Sequence, residues 1–311
     1  MVLSIDNITV LLIMVIYGIV SGSSAIILKI GIFRAGGINI NNFLRDFGPA
    51  FRRLVTTPAW IVGGIAAITG FIIYTIALNI YDVSVVKPLV NTNLLFTFIF
   101  AYLVFKEHLS RIEWFGIIIL VTGLFLSAFS PSIQSTEKMN IPLLLAFLPI
   151  TIVLMVMMVL IMFVSDKKGH PELIFPIFSG SFYGIGTFFT KSSLIGLKQL
   201  NSGDPLLVGM CFYSIIMFLV TYAFAIIAQQ FAFERGRLSI VSPITNSLSV
   251  TLSFIGAYFV FYEDLIVPIE GIFIFQSFFK VIGVICIIIA LIMLRREITS
   301  KYTLNLEYKI Q

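Results

Sequence analysis

Four lysines, Lys29, Lys87, Lys191 and Lys280, stand inside long apolar runs, whereas the acidic residues fall in polar stretches or at the ends of runs. Charge within a membrane-length apolar segment is costly and marks a solute pathway. Lysines without a buried carboxylate suit an anionic or phosphate-bearing solute, while a divalent cation site asks for oxygen ligands, carboxylates first. Lys29 and Lys191 are the stronger candidates, because each follows a glycine by seven residues in a repeated pattern. A second reading stands beside this one: each lysine lies near the end of its run, so its stem can snorkel or its amine can pair structurally.

The other candidate groups are uncharged. Pro88 and Pro243 each free a backbone carbonyl one turn upstream, and inside a membrane that group must find protein, water or ligand. Asn91 and Asn246 follow three residues later, with Asn93 close by. The plainer reading of each proline is an ordinary first turn of a helix. Ser23, Ser24, Tyr74, Gln229 and Gln230 complete the set of expected substrate-binding side chains. No acid–base pair, nucleophile–histidine pair or phosphate-cradling loop is present, so no catalytic residue and no cofactor are assigned and an enzyme is not expected. His108 and His170 have no neighbours at ligand spacing, and Cys211 and Cys286 read as core residues, so any metal ligand set stays unassigned.

These groups sit in a chain of 311 residues that is 59% hydrophobic and 11% charged, where a soluble domain carries about a quarter charged residues. Apolar blocks of bilayer length recur throughout. The fold class is therefore an all-α integral membrane protein with about nine transmembrane helices, near 8–33, 57–80, 83–105, 111–129, 141–164, 172–197, 205–232, 238–262 and 270–294. The stretch "NFLRDFGPAFRRL" is too polar to cross and reads as a short interfacial helix. The first apolar run has no basic residue before it and is read as a retained span rather than a signal peptide.

With the N-terminus outside, fourteen of the 20 basic residues fall in cytoplasmic segments and two in external ones, the remaining four being the lysines within runs. That bias argues for an outside N-terminus and a cytoplasmic C-terminus, in the plasma membrane. The basic residues are scattered, so nucleic acid is not an expected partner. Membrane lipids and a small-molecule or ion substrate are, and the chain is expected to be a monomer or homodimer.

The chain also repeats itself. "SVVKPLVN" (84–91) aligns with "SIVSPITN" (239–246), and an alanine, Ala77 or Ala232, stands eleven residues before each proline. Gly18, Gly22 and Lys29 align with Gly180, Gly184 and Lys191 as G-x3-G-x6-K. "AYLVFKE" and "AYFVFYE" close equivalent runs at Glu107 and Glu263, read as structural or gating residues, and Gly116 pairs with Gly283. The glycine pairs read as close helix contacts, compatible with a rocking interface. Residues 1–135 form a first repeat of four spans, 136–169 a connecting span, 170–296 a second repeat and 297–311 a cytoplasmic tail. Five spans separate equivalent elements, so the second repeat enters the membrane inverted, as in many secondary transporters. Spans 1, 3, 6 and 8 are expected to line the path.

"GSSAIILK", Ala77, "KPLVNTNLLFTFIFAYLVFKE" and Gly116…Gly123 together resemble the EamA-like drug/metabolite transporter superfamily. The four-plus-one-plus-four layout, with "GSSAIILKIG" and "SVVKPL", is similar to that of the NIPA-type magnesium transporters. The resemblance implies transmembrane transport by alternating access through a central cavity. It brings magnesium or another cation as one possible cargo and a lipid-carrier flippase as another activity. The chain departs from the NIPA pattern at Phe71 and Tyr74, where that family carries a glutamate and an asparagine.

Overall fold

The computed structural model describes residues 5–36, 43–105, 111–128, 139–164, 171–200, 205–236, 238–262, 282–283, 285–290 and 293. Among the described residues ten helices are delimited, in order: α1 (Ile5–Arg34), α2 (Phe43–Thr56), α3 (Pro58–Ile80), α4 (Val83–Val90), α5 (Thr92–Phe105), α6 (Arg111–Ala128), α7 (Ile141–Val164), α8 (Pro171–Lys198), α9 (Pro205–Arg235) and α10 (Leu238–Phe261). The all-helical class is as expected.

Among the described residues, six helical segments are long and apolar enough to cross a membrane, and α4 with α5 counts as one of them (Val83–Val104). Against the nine expected, the differences have identifiable origins. The apolar part of α6 is only Trp114–Gly123. α8 is long enough at 28 residues, but Ser, Thr and Gly interrupt its apolar letters. The expected ninth span at 270–294 lies largely outside the described residues, although 285–290 are helical.

The polarity of α8 follows from its position. It packs on α9 and α10, so its hydroxyls need protein partners rather than lipid. Ser179 Oγ donates to Ala225 O at 3.0 Å, and Ser192 Oγ meets Ser214 Oγ at 2.8 Å. The expected interfacial helix is α2, which carries exposed Phe51, Arg52 and Arg53 beside buried Leu54. Asn140 stands just before α7 as its N-cap, its Oδ1 accepting from Leu143 N at 3.2 Å.

The two glycine pairs hold close helix contacts. A Cβ on Gly18 would lie 2.8 Å from Thr92 Oγ1, and one on Gly22 the same distance from Phe96 Cβ, so α1 sits directly on α5. A Cβ on Gly180 would lie 2.9 Å from Leu248 Cβ and one on Gly184 2.7 Å from Leu252 Cβ, so α8 meets α10 in the same way. The two prolines differ. Pro88 is followed by a break at Asn91 that separates α4 from α5, whereas α10 runs unbroken through Pro243.

One expectation is corrected, that no carboxylate is buried: Asp82, at the junction of α3 and α4, is 5% exposed. Only Tyr81 and Asp82 join the two helices, and the turn folds inward, so a residue that reads as a span end becomes part of the interior.

Candidate functional site

α3 lies against α1, and α9 against α8. Between these pairs, with α4, α5 and α10 completing the wall, is a cavity of about 560 Å³. Its size falls within the range of small-molecule sites. The expected lining spans 1, 3 and 8 supply residues such as Tyr17, Lys87 and Asn246, and two spans outside that expectation line it as well: α3 contributes Trp60, Phe71 and Tyr74, and α9 contributes Phe218, Tyr222 and both glutamines. From α8 only Tyr183 reaches the lining.

Lys87 is the one basic side chain among the described lining residues, and the described lining holds no carboxylate. It is 4% exposed. Its Nζ donates to Ser249 Oγ of α10 at 2.9 Å and stands 5.3 Å from the centroid of the Tyr74 ring, a cation–π distance. One amine therefore ties α4 to α10 across the cavity.

Aromatic rings form one wall. Phe71 stacks on Phe218 at 5.4 Å and meets Tyr222 edge-on at 5.2 Å, while Tyr183 meets Tyr222 at 5.4 Å. Amides and hydroxyls supply the polar points. Asn246 Nδ2 donates to Asn93 Oδ1 at 2.7 Å, Tyr183 OH to Gln229 Oε1 at 2.7 Å, and Tyr74 OH to Thr187 Oγ1 at 3.2 Å. Trp60 Nε1 reaches Gln230 Oε1 at 3.4 Å. Such a site can hold a solute with an apolar body and a polar or anionic end.

Of the expected binding residues, Ser24, Tyr74, Asn93, Gln229, Gln230 and Asn246 come together around this cavity. Four do not line it. Ser23 Oγ donates to Val20 O of its own helix at 2.9 Å. Asn91 is fully buried, with Nδ2 donating to Pro88 O at 3.0 Å. Lys29 Nζ donates to Gly236 O beyond the end of α9 at 2.9 Å. Lys191, 1% exposed, donates to Leu78 O at 2.8 Å and to Tyr81 O at 3.1 Å at the end of α3. Both lysines thus follow the structural-pairing reading: carbonyls left over at a helix C-terminus attract a cation. Pro88 and Pro243 stay within α4 and α10, while Glu107 and Glu263 lie outside the described residues.

Sequence reasoning ranked Lys87 below the two glycine-linked lysines and passed over Tyr17, Phe218, Tyr222 and Ser249. The proline register aligns Lys87 with Ser242, which also lines the cavity, and that alignment was the available signal.

Membrane-length helices around a cavity of small-molecule size are an arrangement that a membrane transporter can use. The family described as Magnesium transporter NIPA matches residues 5–299, and the chain belongs to it. A probable magnesium transporter NIPA1 of Arabidopsis thaliana is 24% identical over 270 residues, covering 83% of this chain and 78% of its own. A probable 4-amino-4-deoxy-L-arabinose-phosphoundecaprenol flippase subunit ArnE of Pseudomonas fluorescens is 32% identical over 57 residues, 18% of this chain. That match spans only half of the ArnE chain. No solved structure matches the chain significantly.

Proposed function

We propose that the protein is a secondary carrier that moves a small organic anion through the central cavity by alternating access. The observation that carries this reading is Lys87, set over Tyr74 in a lining whose other described polar side chains are amides, hydroxyls and the Trp60 indole. An amine in a low-dielectric, aromatic-walled site attracts an anion more strongly than it would in water. Two inverted four-helix halves, 1–135 and 170–296, rock about the cavity with 136–169 connecting them. The N-terminus is outside and the C-terminus cytoplasmic, in the plasma membrane.

The lysine caps support this mechanism. Lys29 of α1 holds the end of α9, and Lys191 of α8 holds the end of α3. Tyr81 and Gly236, which accept these bonds, each stand four residues beyond the repeated alanines, Ala77 and Ala232. Gly63 near the start of α3 packs on Leu28, so the Lys29 cap and the Lys191 cap lie toward opposite ends of α3. Each cap joins one half to the other at one end, which suits a carrier that opens one end at a time. Lys29→Met and Lys191→Met are therefore expected to shift the balance of open states in opposite directions, by about tenfold for each charge-assisted bond lost. Labelling a cysteine at Ser21 with an impermeant reagent, in a background lacking Cys211 and Cys286, reads this shift. Labelling that rises from the same side in both variants would sink the mechanism.

Magnesium is the second reading, favoured by family membership and by the Asn93 and Asn246 amides meeting in the cavity. Neutral oxygens can hold a partly hydrated ion. Proteoliposomes loaded with glycerol 3-phosphate or citrate, and separately assayed for Mg²⁺ entry, decide between the two. Anion exchange that depends on Lys87 supports the carrier proposed here. Mg²⁺ entry with no anion exchange rejects it.

A further inference from the structure

The aromatic lining is organised around one triad. Phe71 of α3 and Phe218 and Tyr222 of α9 pack together, with ring centroids 5.4, 5.2 and 5.0 Å apart in the three pairs. Each is half-buried and lines the cavity, so ring surface stays open to a ligand. Tyr74 stands three residues after Phe71 on the same face of α3. Its centroid is 6.4 Å from that of Phe71 and 5.3 Å from Lys87 Nζ. One ring therefore joins the amine to the triad. Lys87 is the single cation of the described lining, and no carboxylate of that lining stands ready to pair with a second one.

Resting on the anion-carrier reading, we propose that the cargo is an aromatic monocarboxylate without an amino group, its carboxylate at Lys87 and its ring against the Phe71–Phe218–Tyr222 triad. One charge on the cargo matches one amine. Ser249 Oγ accepts from Lys87 at 2.9 Å, so its O–H can donate to the same carboxylate. A cargo ring meets the triad offset or edge-on, the arrangement that ring quadrupoles favour. A saturated ring of the same size gains the burial without that contact. An ammonium on the cargo would be repelled by Lys87, and in this low-dielectric site it would lose its water with no carboxylate of the described lining to replace it. The site thus separates an aromatic acid from the amino acid of the same skeleton.

The test is equilibrium binding of radiolabelled 3-phenylpropionate to the purified full chain in detergent, where leak of the free acid across vesicle walls plays no part. Exchange of glycerol 3-phosphate and citrate in proteoliposomes is measured in parallel. The competitors are 3-cyclohexylpropionate, which keeps the size and loses the π-system, and L-phenylalanine, which adds only the amino group. 3-Phenylpropionate is expected to bind about two- to tenfold more tightly than the cyclohexyl acid, and at least about tenfold more tightly than L-phenylalanine. Phe218→Leu is expected to abolish the first preference and keep the second, whereas Lys87→Met weakens both acids together. Each preference is a ratio read within one protein, so partial misfolding of a variant does not change it. Equal binding of the two acids, or of 3-phenylpropionate and L-phenylalanine, overturns the proposal, and so does a first preference that survives Phe218→Leu. If glycerol 3-phosphate or citrate exchanges but 3-phenylpropionate does not bind, the aromatic cargo is wrong and the anion carrier stands. If no anion binds or exchanges, the anion-carrier reading fails and the aromatic cargo falls with it.

Discussion

Lys87→Met is expected to raise the KM for anion exchange by about 10- to 100-fold while leaving the protein folded. The range comes from the worth of a hydrogen bond to a charged group, about 1.5–3 kcal/mol, at about 1.4 kcal/mol per factor of ten. Methionine keeps most of the buried volume and removes the amine. The lost bond to Ser249 leaves a hydroxyl that can turn to its own helix, as Ser253 Oγ does in donating to Ser249 O at 2.6 Å. Fold and transport should therefore separate in this variant. The measurement is exchange kinetics in proteoliposomes together with a melting curve in detergent. An unchanged KM would remove Lys87 from the binding site and with it the strongest argument for an anion.

Gly180→Leu is expected to do the reverse, damaging the fold before transport can be measured. Its Cβ would come against Thr245 O and 2.9 Å from Leu248 Cβ. One of these is backbone and cannot rotate away, so α8 and α10 must move apart. Overpacking of a close contact costs about 1–3 kcal/mol and sometimes more, and here it falls on a helix pair that also borders the cavity. Loss of a monodisperse peak, or a melting temperature lowered by many degrees, is the expected result. Gly209→Leu provides the control, because a Cβ there meets nothing within 4 Å and α9 should accept the larger side chain. Equal stability of the two variants would show that the α8–α10 contact is looser than its geometry implies.

How much of this could be read from the letters depends on whether the physics has a letter. Close helix approach does: only the absence of a side chain allows it, so Gly18, Gly22, Gly180 and Gly184 are legible as a packing pattern and the structure gives each a facing helix. Helix-terminal capping by Lys29 and Lys191 is half legible. The lysine stands out in an apolar run, but its acceptors are carbonyls, which every residue carries. The cavity is less legible still. Phe71, Phe218 and Tyr222 lie in runs where most neighbours are apolar, and nothing in such a run says which side faces lipid and which faces a cavity. Periodicity fails because both sides are apolar. Asp82 misleads for a different reason: a charged residue between two spans suggests the membrane surface, but a two-residue connection can fold inward.

The carbonyl caps also shape what can vary. Because Lys191 bonds the main chain at Leu78 and Tyr81, those bonds survive replacement of either partner's side chain. The same holds for Lys29 at Gly236. The tolerance is asymmetric: a saturation scan should find each lysine intolerant with respect to these bonds and each acceptor position permissive, limited only by local packing. Pairwise covariation among relatives should then miss these two contacts, because one member of each pair exerts its effect without an identity that can change.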